Sequence, residues 1–368
     1  MAKKRKKKAY WIIIVVLLAV LVAIGFIFFR TEILRFFKAD VVAKDAGVQY
    51  TIPIATGSVV ASENGYIYIY SDSGLSVCKS NGEFLRSYLL SYTDTKIAYS
   101  DTHVVVYDKG ATSYTVFCEG KKVDEYTAKT AITYVFAFDE YMFLLCEGLQ
   151  GYLGAVYCST YQTNLIIPDG YKNDIQYSGR YPVYLDMFDD KEQFAVVSCV
   201  PDDMSKTHIE VFEIGKPTPI AGITLDGFLP KTVCLQDGRF LVANDTDVLL
   251  IDKVMEKTSV FKDQQIVYIK GYENQVYGYG IIDGEDRIFK IDSDGTLAWK
   301  KALQEDVQGF SVFENKLVTW KAQTLSMFTL KGNDFHTVET DSLIQQVIAI
   351  GGHRLAILTS RNVIVYKY

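Results

Sequence analysis

The sequence predicts an all-β fold, an eight-bladed β-propeller, standing behind a single N-terminal transmembrane helix. Three observations predict it. Short runs of β-branched and aromatic residues recur in groups of four from Val48 to Tyr368, and Asn, Asp or Gly interrupts them at the turns. The two ends of that body are incomplete in complementary ways. Ahead of it, a long uncharged run follows a cluster of cations.

Met1 to Lys8 carries six cations, and Tyr10 to Phe29 then runs for twenty residues without a charge. At ~1.5 Å per residue such a helix reaches about 30 Å, the thickness of a bilayer's hydrocarbon core. The cations make residues 1–9 a basic cytoplasmic tail by the positive-inside rule, with Tyr10, Trp11, Phe26, Phe28 and Phe29 near the interfaces. Everything after Arg30 is then expected outside the cytoplasm, on a single-pass protein of the cell membrane. The apolar run is longer than that of a cleaved signal peptide. It leads into Phe29-Arg30-Thr31-Glu32 rather than small residues, so the reading is an uncleaved signal anchor. Residues 30–47 form a juxtamembrane linker, with Ile33, Leu34, Phe36 and Phe37 set among charges.

With the six leading cations set aside, 38 Lys and Arg fall to 32 against 44 Asp and Glu, a net charge of −12. An acidic body is repelled by phosphate backbones, which excludes nucleic acid as a partner.

The clearest unit of residues 48–368 is the sixth, Ile266 to Lys300, whose four runs are separated by Glu273-Asn274, Asp283-Gly284 and Asp294-Gly295. The first unit spans Val59 to Tyr88, the second Ile97 to Thr127, the third Ile132 to Ile167 and the fourth Val183 to Leu225. The fifth spans Val233 to Phe261 and the seventh Phe310 to Val338. The eighth, from Val347, supplies only three strands before the chain ends. Val48 to Ile54 is a strand without a partner, and as the missing fourth strand it closes the ring and removes the exposed sheet edges. Units of about 40 residues suit a propeller blade. Merging two short units gives seven blades instead.

Ile291-Asp292-Ser293-Asp294-Gly295-Thr296-Leu297-Ala298-Trp299-Lys300 resembles the repeat of quinoprotein-like (PQQ-like) propellers, an aliphatic-Asp pair leading into a Gly turn and a Trp on the outer strand. Val77 to Arg86 is similar to a degenerate copy without the Asp and the Trp. The order of anchor and propeller is also similar to that of membrane-anchored propeller proteins of bacteria, chiefly Gram-positive. Adjacent cysteines accompany the quinone cofactor in the enzymatic members. The six cysteines here, Cys78, Cys118, Cys146, Cys158, Cys199 and Cys234, are never adjacent, so no cofactor is expected.

Cys78, Cys118 and Cys158 are spaced by the blade repeat and are expected at equivalent third-strand positions, as small apolar residues rather than disulfide partners. No zinc spacing occurs, and Asp202-Asp203, Asp245-Thr246-Asp247 and Asp283-Gly284-Glu285-Asp286 read as solvated turns rather than calcium loops. His103, His208, His336 and His353 are solitary and beside strands, with no nucleophile or phosphate-loop motif. No metal site and no catalytic residue is expected.

Three connections look long: Glu147 to Gly154, Pro168 to Pro182 and Pro201 to Thr207. If they join second to third strands, or a fourth strand to the next blade, they gather on one sector of the face opposite the one where the chain enters. There they would present Tyr152, Tyr171, Tyr177, Arg180 and Tyr181 to a partner, away from the membrane. The expected function is a non-enzymatic interaction scaffold in the cell envelope that engages an envelope protein or a cell-wall polymer. The alternative is a small-ligand sensor or enzyme with its site in the central channel.

Overall fold

Eight antiparallel sheets of four strands make up the regular structure of a computed structural model. It describes residues 46–368 except 139–140, 150, 159–174, 189–191, 201–202, 227–231, 237, 253, 274 and 304–306, with backbone alone at 156–158, 204–205 and 232–236. The basic tail, the anchor expected at Tyr10 to Phe29 and nearly all of the linker lie outside the described residues.

Turn chemistry sets the hairpins. Asn64 and Gly65 have φ of 38° and 84°, and Asp283 and Gly284 have φ of 54° and 78°. Two successive left-handed residues give the tight turn whose twist matches that of the flanking strands, and Asn, Asp and Gly reach it at least cost.

Within each sheet the strands lie side by side in chain order, so each unit is a blade. Blades 1 to 7 cover residues 59–88, 95–127, 132–178, 181–226, 232–261, 265–302 and 309–339. Blade 8 takes residues 344–367 and borrows Gly47–Pro53 as its fourth strand, in register from Gly47 opposite Lys367 to Pro53 opposite Asn362. First strands pack on one another in succession around the ring, and that of blade 8 (Ile344–Ala349) packs on that of blade 1 (Val59–Glu63). The fold is therefore the expected eight-bladed ring.

Its core is divided among the blade interfaces. Each strand face alternates between neighbours, so one apolar cluster fills each gap: Val60, Ile67 and Ile69 meet Ile348, Ala356 and Val365 between blades 1 and 8, and Phe143 and Tyr177 meet Phe194 and Phe212 between blades 3 and 4. The turn before the fourth strand recurs with one hydrogen-bond pattern. Asp292 N–H donates to Thr296 O and Gly295 N–H to Asp292 O, both at 2.9 Å, and the same pair joins Lys79, Gly82 and Glu83 in blade 1 and Thr329, Gly332 and Asn333 in blade 7. The ring of Trp299 covers Gly332 of the next blade, where an added Cβ would come within 3.0 Å of it. The quinoprotein-like resemblance thus holds for the fold.

Strand direction gives the ring two faces. The near face, where the chain starts Gly47–Pro53, carries the turns between first and second and between third and fourth strands. The far face carries the turns between second and third strands and the handovers between blades.

Blade 3 departs from expectation. Glu147 to Gly154 is no long connection but a hairpin, with Tyr141–Gly148 and Gly151–Cys158 paired as far as Gly148 opposite Gly151. Its glycines read as loop, yet Gly154 sits in the strand because the Phe143 ring fills the space a Cβ would need, 2.2 Å away. Pro168 to Pro182 contains the fourth strand, Ile175–Ser178, and the handover to blade 4 is only Gly179 and Arg180. The third blade therefore ends at Ser178 rather than Ile167. Residues 159–174, between the third and fourth strands of this blade and Tyr171 among them, lie outside the described residues. Pro201 to Thr207 is also mostly strand, since Asp203–Glu213 begins within it.

A buried carboxylate ties blades 1 and 2 at the near face. Glu63, 1% exposed, accepts Tyr68 O–H at 2.7 Å and Glu119 N–H at 2.9 Å, and Tyr68 Oη accepts Gly120 N–H at 2.9 Å. Burial pushes the Glu63 carboxyl above its ordinary 4.5 against those hydrogen bonds, and burial with Glu63 beside it pushes the Cys118 thiol up to about 11. Glu63→Ala strands these donors and should cost about 2–4 kcal/mol in urea unfolding, with Glu63→Gln costing less because an amide oxygen can still accept. The folded chain holds the Glu63 proton more tightly than the unfolded chain. Its contribution is therefore fullest below pH 4.5 and declines as pH rises through the raised value. The Gln variant should accordingly lose most against the wild type at low pH and recover toward neutrality.

Candidate functional site

Four of the five sequence-predicted site residues converge on the far face where blade 3 hands over to blade 4. Tyr152 enters from the third strand of blade 3 and pairs across the sheet with Tyr177 in the fourth. Arg180 forms the handover, and Tyr181 opens the first strand of blade 4, Tyr181–Met187. The Tyr152 and Tyr181 rings meet edge to face with centroids 4.8 Å apart. Arg180 Nη1 lies 2.9 Å from Glu210 Oε2 in an ion pair that is a quarter exposed on the Arg side. Burial first, then the neighbouring Tyr152, Cys199 and Tyr134, pushes the Tyr181 hydroxyl above its ordinary pKa of 10, so it remains a neutral hydrogen-bond donor.

Tyr177 is a correction. It is fully buried, because the alternation of Ile175–Ser178 turns Ile175 and Tyr177 inward and Gln176 and Ser178 outward. Its ring packs with Phe212 at 6.4 Å, and its hydroxyl has no hydrogen-bond partner among the described residues. Burial, then Glu210, drives its ionisation far out of reach, with Arg180 opposing. Tyr177 is core beneath the site and offers a partner nothing.

Two residues outside the expected set complete the sector. Tyr134, 45% exposed, extends from the first strand of blade 3 with its ring 4.5 Å from Phe136, and Leu149 at the tip of the neighbouring hairpin is fully exposed. Tyr134 sits in an aromatic run that reads as core, so nothing but the blade geometry marks it as exposed.

Two cavities lined by described residues lie away from this sector. One of about 350 Å³ separates blades 6 and 7, crossed by Lys301, which pairs with Asp334 at 2.7 Å and lies 4.9 Å from the Phe328 ring centroid. The other, about 590 Å³, opens at the near-face end of the central channel between the first strands and turns of blades 6, 7, 8, 1 and 2. It brings Asp101, Lys270 and Glu314 to a channel whose first strands read as mainly apolar.

Among the described residues no group of three or more His, Cys, Asp or Glu is arranged to hold a metal ion. In Asp245-Thr246-Asp247 the turn is made by Asn244 Oδ1, which accepts Thr246 N–H at 2.8 Å and Asp247 N–H at 2.6 Å, while Asp283 pairs with Lys300 and Arg287. Cys78, Cys118, Cys146 and Cys199 are free thiols, and Cys78, Cys118 and Cys158 do fall on the third strands of successive blades. His103 is buried with Nδ1 3.1 Å from Ser100 Oγ and 3.0 Å from Thr102 Oγ1, so it organises its own turn rather than lying at the surface.

The ring is shared with solved structures at low identity. BamB from Moraxella catarrhalis is 11% identical with a TM-score of 0.58, covering 88% of this chain and 97% of its own. Sqt1 from Saccharomyces cerevisiae is 10% identical with a TM-score of 0.59 over 87% and 99%. BBS1N, solved in complex with ARL6DN, is 11% identical with a TM-score of 0.51 over 89% and 97%. No curated protein matches the sequence. Residues 43–366 match a family of unknown function, DUF5711, and the chain belongs to that family.

Proposed function

We propose that this chain is a membrane-anchored, extracytoplasmic propeller that acts as a non-enzymatic interaction scaffold of the cell envelope and binds a protein partner at the blade 3–4 sector of its far face. One observation carries the reading: Tyr134 and Tyr152 gather around Tyr181, next to Arg180 in the chain and to the hairpin that carries a fully exposed Leu149. Aromatic rings with an Arg and an aliphatic tip are the side chains that dominate protein–protein hot spots, and they lose little conformational entropy on binding. A propeller of the same fold, BBS1N, meets a protein in its complex with ARL6DN, which supports the protein class of partner. The uncharged run Tyr10 to Phe29 behind six cations supports the anchor and the outward placement of the body.

The experiment is cross-linking of the full-length chain in intact spheroplasts with a membrane-impermeant reagent. The wild type should yield a discrete protein adduct. Replacing Tyr134, Tyr152 and Tyr181 together by Ser should reduce that adduct on the order of tenfold with folding retained, while Arg180 is kept so that Glu210 is not left unpaired. An undiminished adduct from a folded variant rejects the sector, and labelling of the body only after lysis rejects the topology.

A further inference from the structure

We infer that the near-face mouth of the central channel binds a small organic ammonium compound. A cavity of about 590 Å³ is the size of a small-molecule site and far larger than a metal ion needs. Its wall contains Ser311, 7% exposed as a residue, whose hydroxyl bonds to no described residue and keeps access to the cavity. Asp101, at the turn of blade 2, likewise takes no hydrogen bond or ion pair among the described residues. Glu314 faces the same space from blade 7, with Oε2 accepting His353 N–H at 2.9 Å and lying 3.2 Å from His353 Nδ1.

Charge selects the ligand class. Two carboxylates and one ammonium, that of Lys270, line the cavity, so an anion meets net repulsion. An apolar guest, or a neutral polyol, would desolvate Asp101 without supplying a countercharge. A primary ammonium supplies both the charge and three N–H donors, enough for Asp101, Glu314 and the Ser311 hydroxyl. The aromatic walls point the same way: Lys270 Nζ already lies 5.8 Å from the Phe313 ring centroid, and Tyr99 and Tyr272 offer further π surface to a cation. This site is on the opposite face from the tyrosine sector and stands whether or not that sector binds a protein.

The test uses the full-length chain in uncharged detergent, titrated calorimetrically with 1,5-diaminopentane, with 1,5-pentanediol and glutarate as neutral and anionic analogues of similar length. The diamine should bind saturably with a Kd of roughly 10–1000 μM and the two analogues at least tenfold more weakly. Asp101→Asn, a surface change that leaves the core untouched, should weaken the diamine at least tenfold, and Glu314→Gln should do the same in a variant shown to melt at the wild-type temperature. Absence of diamine binding at 10-fold above that range, equal binding of the diol, or an Asp101→Asn protein that binds as the wild type does would each overturn the inference.

Discussion

Tyr177→Ala is expected to destabilise the propeller by about 3–5 kcal/mol, whereas Tyr177→Phe should leave it unchanged or raise it by up to ~1 kcal/mol. The ring is fully buried between blades 3 and 4, among Phe143, Phe194 and Phe212, and its removal opens a cavity that stiff strands on either side cannot collapse into. The hydroxyl has the opposite value. It is buried without a hydrogen-bond partner among the described residues, so folding strips it of water and these residues return nothing, and deleting it removes a cost. Chemical unfolding followed by circular dichroism separates the two. An Ala variant as stable as the wild type would put Tyr177 at the surface. A Phe variant weaker by more than ~1 kcal/mol would show that the hydroxyl has a partner in solution.

That residue also marks where sequence reasoning stops. The ring was legible because blade closure leaves a signature at both ends: three strands from Ile344 to Lys367 and a spare one at Gly47–Pro53. Asn-Gly and Asp-Gly pairs mark the hairpins directly, since few other residues accept two successive positive φ values. Blade 3 was less legible, because Gly148, Gly151 and Gly154 carry loop composition inside paired strands and the fourth strand, Ile175–Ser178, is only four residues long. Tyr152, Arg180 and Tyr181 could be placed at one edge by counting strands. Whether Tyr177 faces out depends on the parity of a short strand, which one residue of uncertainty inverts. Tyr134 and the channel group of Asp101, Lys270 and Glu314 come from blades far apart in sequence, and only the closed ring juxtaposes them.

Closure of the ring is therefore the claim on which the faces, the tyrosine sector and the channel mouth all rest. Gly47–Pro53 pairs with Asn362–Lys367 along its length, Ile52 and Ile54 pack against the blade 8 to blade 1 core, and Ser62 Oγ donates to Ala349 O at 2.6 Å across the same seam. Losing that strand forfeits several ladder hydrogen bonds at about 1 kcal/mol each and two half-buried isoleucines at about 1 kcal/mol each, offset in part by the entropy the segment regains. A net loss of at least about 3 kcal/mol is expected, with the outer edge of Asn362–Lys367 left open to association. The deciding measurement compares thermal and urea unfolding of a soluble chain that begins at Asp45 with one that begins at Ser58. The first should unfold in one cooperative transition and the second should melt roughly 5 °C or more lower, with a matching fall in urea midpoint. Equal midpoints for the two chains would contradict the closed ring.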